Sequence, residues 1–152
     1  MEKNELISKS VLFILISLFT VMIGTTIAYM VFQQPTEVNT AEIDTDFSIF
    51  LGESIYINGY GIKITFVDVL ADSRCPSDVI CFWEGTVSLE INIRYNNQNL
   101  GNFILNSSNL HKASFIGYYV KYKELEPYPI STEIISKPSY HATFSVHEYG
   151  PD

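Results

Sequence analysis

The chain has 152 residues, 47% of them hydrophobic and 17% charged, with 17 acidic residues against 9 basic ones. That length holds one domain of ordinary size, and so much apolar and aromatic material excludes disorder throughout. A net charge of −8 argues against nucleic acid as a partner, because phosphate recognition needs clustered Lys and Arg.

Val11 to Phe32 contains no charged residue. A helix of that length rises roughly 33 Å and the hydrocarbon core of a bilayer is about 30 Å thick. The run therefore predicts one transmembrane helix over 11–32, with the lipid bilayer as its partner. Lys3 and Lys9 precede the run and no Lys or Arg follows until Lys63. Residues 1–10 are then the cytoplasmic N-terminus of a single-pass protein of the cell membrane. The rival is a cleavable signal peptide, with Gly24 as a helix breaker and Thr26-Ile27-Ala28 as the cleavage site. Against it, the apolar run continues through Tyr29, Met30, Val31 and Phe32. Both readings put the remainder outside the cytoplasm.

Residues 33–46 read as an acidic tether, with Glu37, Glu42, Asp44 and Asp46 and no basic residue. Glu2 and Glu5 balance Lys3 and Lys9, so the whole −8 lies beyond residue 32.

Residues 47–152 read as an extracytoplasmic β-domain, because the apolar period there is two. Val87, Leu89, Ile91, Ile93 and Tyr95 alternate with Ser88, Glu90, Asn92 and Arg94. Ile62, Ile64 and Phe66 alternate with Lys63 and Thr65, and Tyr140, Ala142, Phe144 and Val146 with His141, Thr143, Ser145 and His147. Weaker strand candidates lie at 53–58, 99–105 and 117–125. Asn58-Gly59 and Asn96-Asn97 mark turns, and Pro127, Pro129 and Pro138 bound the later strands. Roughly six or seven short strands predict an all-β fold, an antiparallel β-sandwich or a small barrel.

Cys75 and Cys81 lie in Asp72-Ser73-Arg74-Cys75-Pro76 and Val79-Ile80-Cys81-Phe82-Trp83-Glu84-Gly85. Outside the cytoplasm such a pair forms a disulfide, and closing a loop of about seven residues contributes roughly 2.4 kcal/mol. Two thiolates alone make a poor zinc site. The motif resembles that of a family of uncharacterised secreted or lipid-anchored microbial proteins. The similarity extends to Leu125-Glu126-Pro127-Tyr128-Pro129 and to the last strand, Tyr140 to Val146. Glu84 stands where many of those proteins have Ala, and the expected helix anchor stands where many carry a lipid-attachment Cys. The resemblance implies a small extracytoplasmic β-domain and no established activity.

The candidate binding surface is Asp72, Arg74, Trp83, Tyr118, Tyr119, Tyr122 and Tyr128, since exposed Tyr and Trp give contact area at small entropy cost. The plainer reading of Asp72 and Arg74 is an Asx turn with an ion pair, and of Trp83, core packing over the disulfide. Asn106-Ser107-Ser108 is a glycan acceptor pattern, with Asn106 as the attachment point. His141 and His147 share one strand face but stand roughly 20 Å apart, and His111 lies in a loop, so no metal site is expected. Asp68, Asp72, Asp78 and Glu84 lack calcium-loop spacing. No nucleophile elbow, HExxH or phosphate-cradling loop is present.

The functional expectation is a non-catalytic, membrane-anchored binding or structural module without a cofactor, with an envelope protein or a glycan as candidate partner. Two alternatives remain: a hydrolase or metal-dependent enzyme assembled from scattered Asp, Ser and His, and a redox-responsive Cys75–Cys81 protein.

Overall fold

A computed structural model describes residues 2–32 and 39–150, with helix side chains described at 11–27 and 29. Two compact units result, one helical and one carrying all the strands. The first is α1 (Glu2–Phe32).

The second contains β1 (Thr40–Ala41), β2 (Asp46–Phe50), β3 (Ser54–Ile57), β4 (Ile62–Asp72), β5 (Val87–Tyr95), β6 (Gln98–Asn106), β7 (Lys112–Phe115), β8 (Tyr118–Glu126) and β9 (His141–Glu148). They form a five-stranded sheet in the order β1-β3-β4-β5-β6 and a four-stranded sheet in the order β2-β9-β8-β7. β1 runs parallel to β3, and every other pairing is antiparallel. Thr40–Ala41 and Asp46, read from sequence as tether, thus belong to strands.

Alternation explains which faces are covered. In β5, Val87, Leu89, Ile91 and Ile93 are buried while Arg94 on the opposite face is exposed. Ile62, Ile64 and Phe66 in β4 do the same. Each such burial contributes about 1.5–3 kcal/mol. The two sheets share one apolar cluster, in which Phe66 of β4 meets Phe144 of β9 edge-on at 6.0 Å. Phe144 also packs against Phe47 at 6.2 Å and Tyr122 at 6.3 Å.

Two expectations are corrected. The fold is mixed α/β with two open sheets rather than the expected all-β antiparallel sandwich or small barrel. Both sheets keep free edges, β1 and β6 in one, β2 and β7 in the other, and α1 adds a long helical element. The transmembrane helix over 11–32 is the second. Among the described residues no helix is long and apolar enough to cross a membrane. The bilayer partner, the single-pass topology with residues 1–10 in the cytoplasm, and the membrane-anchored module all rested on that span and are corrected with it.

Candidate functional site

The long hairpin β4–β5 ends in the cysteine loop. Pairing continues past the strands, with Ser73 N donating to Thr86 O at 2.9 Å and Cys75 N to Glu84 O at 2.9 Å. Cys75 and Cys81 form a disulfide, with Cα atoms 5.9 Å apart. Cys75 is half-buried and Cys81 exposed. Gly85 closes the hairpin end with φ +74°, where a Cβ would lie 1.8 Å from Ser73 O.

Beyond the bridge the loop turns its apolar side chains outward. Ile80 is 103% exposed, Phe82 95% and Trp83 76%. Phe82 and Trp83 meet edge-on at 5.3 Å. Trp83 therefore does not pack over the disulfide as core. The loop is fastened at its base instead: Ser77 N donates to Pro129 O at 2.9 Å, and the Asp78 carboxylate accepts from Ser131 N at 2.8 Å and from Ser131 Oγ.

Asp72 and Arg74 make the fastening at the strand end. Arg74 Nε donates to Asp72 Oδ1 at 2.8 Å and Nη2 to Oδ2 at 2.6 Å. The same guanidinium donates to the carbonyls of Leu125 and Pro127 and lies over the Tyr128 ring at 4.8 Å. Tyr140 Oη donates to Asp72 Oδ2 at 3.1 Å. Burial pushes the Asp72 carboxyl up, but the bonds and charge of Arg74 outweigh it and hold it below its ordinary value. Asp72 and Arg74 thus form a clamp on residues 125–127, and the exposed Tyr128 lies against it.

The other tyrosines divide. Tyr122 is buried, and burial pushes its hydroxyl up to about 12. Tyr118 is half-buried among Tyr60, Tyr95 and Phe115. Tyr119 stacks on His147 at 5.0 Å and, with His111, lines an open cavity of about 370 Å³. The Asn106 side chain donates to Ser88 Oγ at 2.7 Å and accepts from Ser108 N at 2.8 Å. Among the described residues no group of His, Cys, Asp and Glu could hold a metal ion; His141 faces Phe50 at 5.0 Å.

One constellation escaped sequence reasoning. His147 Nδ1 lies 2.6 Å from Asp44 Oδ1, and Nε2 lies 2.8 Å from Ser145 Oγ. A carboxylate only accepts, so Nδ1 carries a proton; in the neutral ring Nε2 then accepts from the Ser145 hydroxyl. Ser145 and His147 share one face of β9 by their spacing, which was legible. Asp44 sits in the stretch read as tether, so its approach was not. Ser145 is 0% exposed. It also stands opposite both Asp46 and Lys121, so local backbone donors serve two ladders rather than a developing oxyanion.

The site is therefore a disulfide-closed, outward-facing apolar loop clamped to a mixed α/β fold. No family model matches the chain, and neither does any curated protein or solved structure.

Proposed function

We propose that this is a redox-responsive disulfide protein, in which the Cys75–Cys81 bridge sets the conformation of an apolar contact loop. The observation that carries the reading is the exposure of Cys81 beside Ile80, Phe82 and Trp83. Exchange requires a thiolate to reach a disulfide sulfur from solvent, and an exposed cysteine permits that approach. A dithiol reductant attacking the Cys81 sulfur releases Cys75 as thiolate. Its second thiol then resolves the mixed disulfide and frees Cys81. The protein gains two electrons and two protons, and the reductant becomes a disulfide. The clamp at Arg74 holds one end of the loop in both states, so the change is confined to residues 75–83. An oxidising compartment suits the resting bridge, and the reading is non-catalytic. The resemblance of the cysteine motif to that of secreted microbial proteins suits such a compartment.

Trp83 is the single Trp of the chain and reports on the bridge two residues away. Equilibration in graded dithiol buffers should give a reversible change in its fluorescence, centred within the range of redox-active pairs. A bridge that stays closed at poises more reducing than about −300 mV is a structural staple, and that result ends the proposal.

A second reading, a serine hydrolase, is favoured by the Asp44–His147–Ser145 connectivity, which is that of an orienter, base and nucleophile. The enclosure of Ser145 opposes it. Labelling by a fluorophosphonate probe, abolished by Ser145→Ala, would establish it; an unlabelled protein with a correctly folded Ser145 would remove it.

A further inference from the structure

On the outer face of the five-stranded sheet, Lys63 of β4 stands directly opposite Arg94 of β5. Like charges in that register repel and destabilise a sheet. The chain has 17 acidic residues to 9 basic ones, so carboxylates to neutralise such a pair are in ample supply. They are used elsewhere: Arg74 sits on Asp72, Lys123 on Asp46 and Lys137 on Asp68. Among the described residues neither Lys63 nor Arg94 has a carboxylate within ion-pair distance.

Both cations are instead held in place by neutral groups. The Lys63 ammonium lies over the Tyr56 ring, 5.2 Å from its centroid. Arg94 Nη2 donates to the Asn97 carbonyl at 3.2 Å. Among the described residues Nε and Nη1 of that guanidinium make no hydrogen bond, and Nη2 carries a second N–H beside one of them. The β5–β6 turn, with Asn96 and Asn97 at φ +47° and +65°, folds over this spot, and Asn96 N donates to Gly61 O at 2.9 Å. These six residues (Tyr56, Gly61, Lys63, Arg94, Asn96 and Asn97) line a cavity of about 250 Å³.

We infer that Lys63 and Arg94 form the recognition pair of an oxyanion site in that cavity, which takes the carboxylate or phosphate group of a small molecule. The guanidinium fork offers two parallel donors to a planar or tetrahedral oxyanion, and the ammonium adds a point charge beside it. An anion between them turns the repulsion of the empty pair into attraction. The site is remote in sequence from the cysteine loop and owes nothing to its redox state.

The test is calorimetric titration of the full chain with two probes, inorganic phosphate and succinate, at constant ionic strength maintained with sodium chloride. Saturable binding of either probe at one site is expected, and the tighter one names the source of the oxyanion. Lys63→Gln and Arg94→Gln should each weaken binding about tenfold or more, the loss expected of one charge-assisted hydrogen bond. Arg94→Lys should recover part of it, and Lys121→Gln, exposed on the other sheet, should leave it unchanged. The bound probe should raise the thermal midpoint of the unaltered chain and not that of the Lys63→Gln, Arg94→Gln double variant. Absence of saturable binding by both probes overturns the inference, and so does equal binding by a folded double variant.

Discussion

Arg74 Nη2 lies 2.6 Å from Asp72 Oδ2, with the two side chains only 10% and 9% exposed. The pair also bridges two segments far apart in sequence, because the guanidinium holds the carbonyls of Leu125 and Pro127. Removing one partner of a buried pair leaves the other charge unpaired. Arg74→Met, which keeps length and apolar stem, should lower unfolding free energy by about 3 kcal/mol. Urea denaturation with an unchanged slope would check it.

The same pair fixes the acid limb of stability. The Asp72 carboxyl is held below its ordinary value in the folded protein. Its contribution is therefore complete above the unfolded carboxylate value of about 3.9 and is lost as pH falls through the lower folded value. Asp68, held low first by the Lys137 hydrogen bond, and Asp78, held low by Ser131, act in the same direction. Asp72→Asn should make the protein less stable at neutral pH and flatten, without abolishing, the loss between about pH 4 and pH 2. Thermal midpoints measured across that range distinguish the two slopes.

At the alkaline end Tyr122 contributes, with Tyr118 and Tyr140 raised by burial in the same direction. The Tyr122 hydroxyl is pushed up to about 12 by burial, an effect larger than the opposing pull of Arg74. The unfolded chain releases that proton near pH 10. Stability is then full below about pH 10 and falls as pH rises towards the folded value. Tyr122→Phe keeps the packing against Phe144 and should give a shallower alkaline decline. Unfolding curves at several alkaline pH values provide the comparison.

The strands were the legible part of this chain. Period-two alternation at Ile62–Phe66 and Val87–Tyr95 depends on local sterics and one buried face, so it can be read without knowing the partner strand. Closure could not be read in that way. Whether β6 pairs with β7 or the two belong to different sheets depends on long-range register, and Thr40–Ala41 joins a sheet with no apolar pattern to announce it. The site divides similarly. Asp72 with Arg74 is a two-residue relationship that spacing reveals, and the cysteine pair needs only proximity. The outward placement of Phe82 and Trp83 went against their chemistry, since burial is the default for large aromatics. Lys63 with Arg94 required the β4–β5 register, which fixes who stands opposite whom.

Gly85 is where a motif position acquires a physical cause. With φ at +74° it lies in the left-handed region, and an added Cβ would sit 1.8 Å from Ser73 O and 2.6 Å from Ser73 C. Those are backbone atoms of the facing strand end, so they cannot rotate away as a flexible side chain could. Gly52 provides the contrast: its φ is +87°, but a Cβ there meets nothing within 4 Å. Gly52→Ala should therefore cost about 1–2 kcal/mol, the strain of the conformation alone. Gly85→Ala adds a collision to the same strain. It should lose more than about 3 kcal/mol and loosen the hairpin end that carries the disulfide. Hydrogen exchange at the amides of Ser73, Cys75 and Thr86 should accelerate in Gly85→Ala and remain slow in Gly52→Ala. Equal losses in the two variants would mean that Ser73 and Gly85 are not in the contact described.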